Sequence, residues 1–144
     1  MKKTNYKELD YPEQYTVYWY IEPSIGNSYW INSSLDKTRF NTGNYFATKQ
    51  KAELEFEWRL VNTQILNSIA SLNKEDNWVV DWKNTDQEKS YLTWEREEDR
   101  VEVGYDINEQ TRPNNMYLYK DTAWQLVELY TQEELKFWIT KEKE

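Results

Sequence analysis

"TKQKAELEFEWRLVNTQILNSIASL", Thr48 to Leu72, is the stretch that decides the fold. Ala52, Phe56, Leu60, Ile65, Ile69 and Leu72 recur at close to helical spacing, and Leu54, Trp58 and Val61 widen the apolar stripe. Thr48 stands where an N-cap hydroxyl accepts a hydrogen bond from the first turn. Asn73, in "SLNKEDN", is a residue type that ends helices readily. These features predict one long amphipathic helix over residues 48–72, with Leu60 central on its buried side.

Upstream, "YTVYWYI" (Tyr15–Ile21) has strong strand propensity, and "EPSIGN" connects it to a second strand in "SYWIN". After the polar "SSLDKT", a short strand is expected around Arg39 and Phe40, ahead of an "NTGN" turn. A phosphate-cradling loop there would need several glycines and a following Gly-Lys-Ser/Thr. Gly43 stands alone. The segment reads as a turn that docks Tyr45 and Phe46 beside the helix start.

Downstream, Ser90–Glu95 and Arg100–Ile107 alternate apolar and polar residues around the charged tip "REED". That pattern predicts a β-hairpin with Val101, Val103 and Tyr105 facing the core. "MYLY" (Met116–Tyr119) reads as a further strand, and Asp121 as the cap of a short helix "TAWQLVELY". Thr131 and Glu134 have capping-box spacing, so a last helix carries "ELKFWIT". The fold class is therefore α+β: antiparallel β-hairpins packed against one long central helix and shorter C-terminal helices. "NYFATKQKAELEFEW" and "NMYLYKDTAWQLVEL" follow each hairpin in the same order, an arrangement that also fits two related ββα halves. The 144 residues suit a single domain, 1–144, with residues 1–14 a flexible N-terminal segment.

Composition narrows the chemistry. The chain has no cysteine and no histidine, which removes disulfides, thiolate nucleophiles, the usual zinc ligands and the commonest proton-transfer group. The reading is of a protein that is not an enzyme, with no catalytic residues, no metal and no cofactor. A catalyst would have to use a carboxylate pair such as Asp81 and Asp86 in a closed cleft. No apolar stretch reaches the length of a secretory signal core or a membrane span, so a cytoplasmic protein is expected. The net charge of −8 opposes direct nucleic-acid binding.

Several segments carry residues of note. Trp82 of "DWKNTDQEK" is expected to plug the core beneath an Asp81–Lys89 bridge, with Gln87 in the same cluster. The tip Glu95, Glu97, Glu98 and Asp99, set against Arg96 and Arg100, could imitate spaced phosphates and engage a basic protein surface. Glu53 and Glu57 share one side of the long helix. Aromatic residues make up 17% of the chain; core packing accounts for most of these rings, and Tyr18, Tyr20 and Trp30 with Trp19 are the candidates for a surplus that forms a ring platform for a partner.

Three of these segments also carry a resemblance. "YWYI", then Arg39–Glu53 in the pattern R-aromatic-N-x-G-N-x-F-x-T-x-x-x-A-E, then Asp81, Trp82, Gln87 and Lys89 ahead of Tyr91, resemble a family of small uncharacterised proteins of Firmicutes phages and prophages. The resemblance covers about Tyr15 to Tyr130 and departs in the C-terminal third, where the usual F-S-S helix start is replaced by "YLYKDT". It implies a phage origin and no particular chemistry. The functional expectation is a phage accessory protein that binds and inhibits a host protein, as an anti-CRISPR inhibitor does, through acidic and aromatic surface. The alternative is a module that sequesters a nucleotide or other small ligand.

Overall fold

The computed structural model describes residues 10–143. It is an α+β structure of two antiparallel hairpins and four helices. The first hairpin pairs β1 (Val17–Ile21) with β2 (Ile25–Tyr29) through a turn at Glu22–Pro23–Ser24. Helix α1 (Ser34–Asn41) follows, then the long helix α2 (Lys49–Glu75). The second hairpin pairs β3 (Lys89–Glu95) with β4 (Arg100–Asp106), and α3 (Lys120–Leu129) and α4 (Gln132–Thr140) complete the chain.

The sequence suggests one domain over residues 1–144. By internal contacts the chain groups into two compact units, residues up to Glu57 and residues from Trp58 onward, with the division falling inside α2. Of the segment expected to be flexible, residues 1–9 lie outside the described residues. Tyr11 packs its ring 5.4 Å from Trp30 and 5.5 Å from Phe40.

Helix starts follow the capping signals. Thr48 Oγ1 accepts from the Lys51 N–H at 3.2 Å, as expected for α2. The Thr131–Glu134 capping box opens α4, each side chain accepting the other's backbone N–H at 3.1 Å. The expected strand at Arg39 and Phe40 is instead α1, which a second capping box starts. Ser33 Oγ accepts from Asp36 N–H, and the Asp36 carboxylate accepts from Ser33 N–H. Asn73 does not end α2; the chain turns at Asn77, which takes the left-handed conformation at φ 49°. Asp121 lies within the first turn of α3 and makes no cap, the cap position being Tyr119. "MYLY" contributes one bridge pairing, Leu118 with Ser90, after a single 3₁₀ turn at Asn114–Met116.

The two units have different cores. In the first, Tyr18 and Trp30 are buried among Tyr11, Phe40 and Tyr45, with Tyr18 stacked on Tyr45 at 5.0 Å. In the second, Ile65 and Ile69 of α2, Leu92 and Val101 of the hairpin, and Leu118, Leu126 and Leu135 form an aliphatic core. Trp58 and Trp138 close it, each indole N–H hydrogen-bonded, to Trp138 O and to Asn62 Oδ1 respectively. Val101 and Val103 face this core as expected, whereas Tyr105, at the open end of the hairpin, is exposed. Leu60, expected in the core, is 54% exposed.

Candidate protein-binding surface

Strand alternation gives the first hairpin two faces. Tyr18 and Tyr20 project to the inner one, where α1 brings Asp36 and Arg39 against them. Tyr18 donates its hydroxyl proton to Asp36 Oδ1 at 2.6 Å and accepts from Arg39 Nη1 at 3.0 Å. Arg39 also donates to Glu22 at 3.0 Å, and Asp36 Oδ2 accepts from the Ile31 and Ser33 N–H groups. Burial opposes ionisation of Asp36, but the Tyr18, Ile31 and Ser33 hydrogen bonds outweigh it and hold the carboxyl below its usual range. Burial, reinforced by the Asp36 bond, pushes the Tyr18 hydroxyl up. The network is an internal, satisfied one.

This arrangement corrects the ring platform. Tyr18 and Trp30 are core residues and present no ring to a partner. Tyr20 is half-buried: it lies across Gly26, its cross-strand partner, and the Arg39 guanidinium stacks 3.6 Å from its ring centroid. A Cβ on Gly26 would fall 2.7 Å from the Tyr20 ring, so glycine is what lets the ring settle there.

The opposite face carries Val17 and Trp19 on β1 and Tyr29 on β2, with Ile31 just beyond the strand end. Val17 pairs with Tyr29, and Trp19 with Asn27. Tyr29 is 63% exposed and Ile31 59%, Val17 is exposed, and Trp19 is half-buried. Tyr15, whose N–H bonds Trp30 O, adds an exposed ring at the same end. These are the residues that sequence reasoning missed. "YTVYWYI" is apolar at both parities, so only the polar residues of α1 reveal which side is covered. The Ser33–Asp36 spacing was the available signal.

The hairpin's edges also differ. Along β1, Trp19 exchanges both backbone bonds with Phe46, and Asn44 caps Ile21 N–H and C=O with its side-chain amide. Along β2, the N–H and C=O groups of Ile25, Asn27 and Tyr29 point away from β1, because Trp30 turns its own groups toward Thr16 and Tyr15. Among the described residues they have no partner.

The acidic candidates of the second hairpin sit among cationic partners. At the tip of the second hairpin, Glu98 pairs with Arg100 at 2.9 Å and Asp99 with Lys136 at 3.0 Å. Glu95 accepts the Glu98 N–H, and Arg96 pairs with Glu142. The tip is thus a mixed-charge surface, with Glu97 exposed among these pairs. Glu53 is exposed and pairs with Lys49 at 3.6 Å; Glu57 is half-buried.

The Asp81–Lys89 bridge does not form. Lys89 is fully buried and donates to the carbonyls of Asn84, Gln87 and Ile107, with its ammonium 4.8 Å from the Trp82 ring. Trp82 is half-buried and bonds Asn114, and Gln87 spans Asp81 N–H and Val79 O. Asp81 and Asp86 are exposed loop residues. No group of carboxylates among the described residues is arranged to hold a metal ion.

The second hairpin repeats the local design of the first. Tyr91 lies across its partner Gly104, Arg112 stacks on Tyr91 at 3.6 Å, and a buried tyrosine, Tyr117, donates to Asp106 at 2.7 Å. In both, the residue before the stacked tyrosine, Trp19 or Ser90, makes the single bridge pairing that precedes a helix with a buried alanine, Ala52 or Ala123. No family model, curated protein or solved structure matches the chain. Among the described residues, no helix is long and apolar enough to cross a membrane.

Proposed function

We propose that the chain is a non-enzymatic phage accessory protein that acts in the host cytoplasm by binding a host protein and inhibiting it, in the manner of anti-CRISPR inhibitors. The observation that carries this reading is the outer face of the first hairpin, where Val17, Tyr29 and Ile31 stand exposed on a two-stranded ribbon. Tyrosine and large aliphatic side chains on a rigid strand supply contact area at low entropic cost, and tyrosine is a favoured interface anchor. The resemblance to phage proteins and the absence of cysteine and histidine support the same reading. The net charge of −8 favours encounter with a host protein of basic surface.

The test is affinity capture by the full chain from a phage-infected host, with a parallel capture by the double variant Tyr29→Ser, Ile31→Ser. The expected result is a host protein retained stoichiometrically by the parent, inhibited by it in a purified assay, and lost with the double variant. Equal retention and inhibition by both proteins would overturn the assignment of this face. A retained partner whose activity is untouched would overturn inhibition.

A further inference from the structure

We infer that β2 is a self-pairing edge: two copies of this chain join β2 to β2 in antiparallel register about Asn27. The open groups define that register. Residues 25, 27 and 29 occupy the outward-facing positions along this edge, flanked by Pro23 in the turn and Ile31 beyond the strand end. Pro23 has no N–H to give, and the Ile31 N–H is held by Asp36 Oδ2 at 2.9 Å. The open ladder is therefore Ile25, Asn27 and Tyr29, closed at both ends and symmetric about Asn27. A two-fold axis there sets Asn27 opposite Asn27 and Ile25 opposite Tyr29, each pair exchanging both backbone bonds. A two-fold centred on Ile25 or Tyr29 would oppose an open position to Pro23 or to the occupied Ile31.

Charge and side chains agree with this occupant. From Pro23 to Leu35 there is no charged residue, in a chain that is 31% charged. Lysine or other charges, which commonly keep edge strands from pairing, are missing from this one. Pairing would also extend the outer face into a row of Val17 and Tyr29 continuing into Ile25 of the second copy. The inference concerns the β2 edge and stands whether or not the outer face binds a host protein.

The experiment uses the full chain. Sedimentation across a concentration series should show a monomer–dimer equilibrium, strengthened by salt because each copy carries −8. Asn27→Lys, which sets two ammonium groups face to face on the axis, should weaken dimerisation by at least about tenfold at low salt while leaving unchanged the melting curve taken at concentrations where the parent is monomeric. The chain has no cysteine, so a single introduced thiol reports position. Asn27→Cys places two thiols about 5.5 Å apart by Cα, within bridging range, whereas Ser24→Cys places them about 20 Å apart. Crosslinking by a short bismaleimide should be at least about tenfold faster at position 27. A concentration-independent monomer, a dimer insensitive to Asn27→Lys, or equal crosslinking at both positions would each overturn the proposal.

Discussion

The two hairpins share a small device and differ in what surrounds it. Each lays a tyrosine across a cross-strand glycine, stacks an arginine on that ring, and ties a buried tyrosine hydroxyl to an aspartate. In the second unit an aliphatic core lies beside the device. In the first the core itself is aromatic, and Asp36 and Arg39 of the device, together with the Phe40 ring, hold α1 on the sheet. A short helix with few apolar residues can be fixed by charged hydrogen bonds where a stripe of leucines is missing. The cost is that its stability depends on ionisation.

The largest effect should come from removing the centre of the aromatic core. Trp30→Ala deletes a ring in contact with Tyr11, Tyr18, Phe40 and Tyr45 and should cost about 3–5 kcal/mol in denaturant unfolding. A loss under about 1 kcal/mol would show that the polar network, not the rings, holds the first unit.

Next comes the network. Asp36→Ala strands the Tyr18 hydroxyl and two backbone N–H groups and should cost about 3 kcal/mol near neutral pH. Asp36→Asn sharpens this into a pH test. The folded carboxyl lies below its unfolded value, so its contribution is complete above the unfolded pKa of about 4 and disappears as pH falls through the folded pKa. The variant should therefore lose stability at neutral pH yet decline less steeply than the parent in acid. Asp106 is also held low, its opposing burial outweighed by Thr111, Tyr117 and Arg112, so some acid sensitivity should remain.

The glycines compare the two devices directly. An added Cβ meets Tyr20 at 2.7 Å from Gly26 and Tyr91 at 2.8 Å from Gly104, nearly the same clash. The rings differ in their freedom to move away. Arg39 is anchored by Glu22 and Tyr18, whereas Arg112 donates to Thr111 beside it. Gly26→Ala should cost about 2–3 kcal/mol and Gly104→Ala about 1. Equal costs in calorimetry would show that the sheet, rather than the arginine's anchors, sets the strain.

Legibility in the sequence followed the range of the interactions. The α2 start at Thr48, the Thr131–Glu134 box and the second hairpin with its tip are local patterns and were readable. Helix α1 was also locally written, in Ser33 and Asp36, but the adjacent Phe40 and the turn after it gave a competing strand signal. The exposed face of the first hairpin was not readable from its own strands, since both parities are apolar and the choice is made by Asp36 and Arg39 some 20 residues on. The tip's charge balance depends on Lys136 and Glu142, which no local reading connects to Asp99 and Arg96.

The smallest expected effect separates the helix pattern from its actual rotation. Taken from the sequence, Leu60 sits centrally on the stripe of α2, and truncation there would cost what a core leucine costs, about 2–5 kcal/mol. In the structure the buried line through this part of the helix is Trp58, Val61, Ile65, Ile69 and Leu72. At about 100° per residue, Leu60 lies some 140° from Ile65 around the helix. It is 54% exposed, and alanine is the better helix former by a few tenths of a kcal/mol. Leu60→Ala should thus change stability by no more than about 0.5 kcal/mol, while Ile65→Ala, at a fully buried position, should cost about 2–5. Paired denaturant curves distinguish the two. A loss at Leu60 as large as that at Ile65 would mean that this side of α2 is covered in solution, by a partner chain or a second copy, and the surface of the second unit would then join the first hairpin as a binding face.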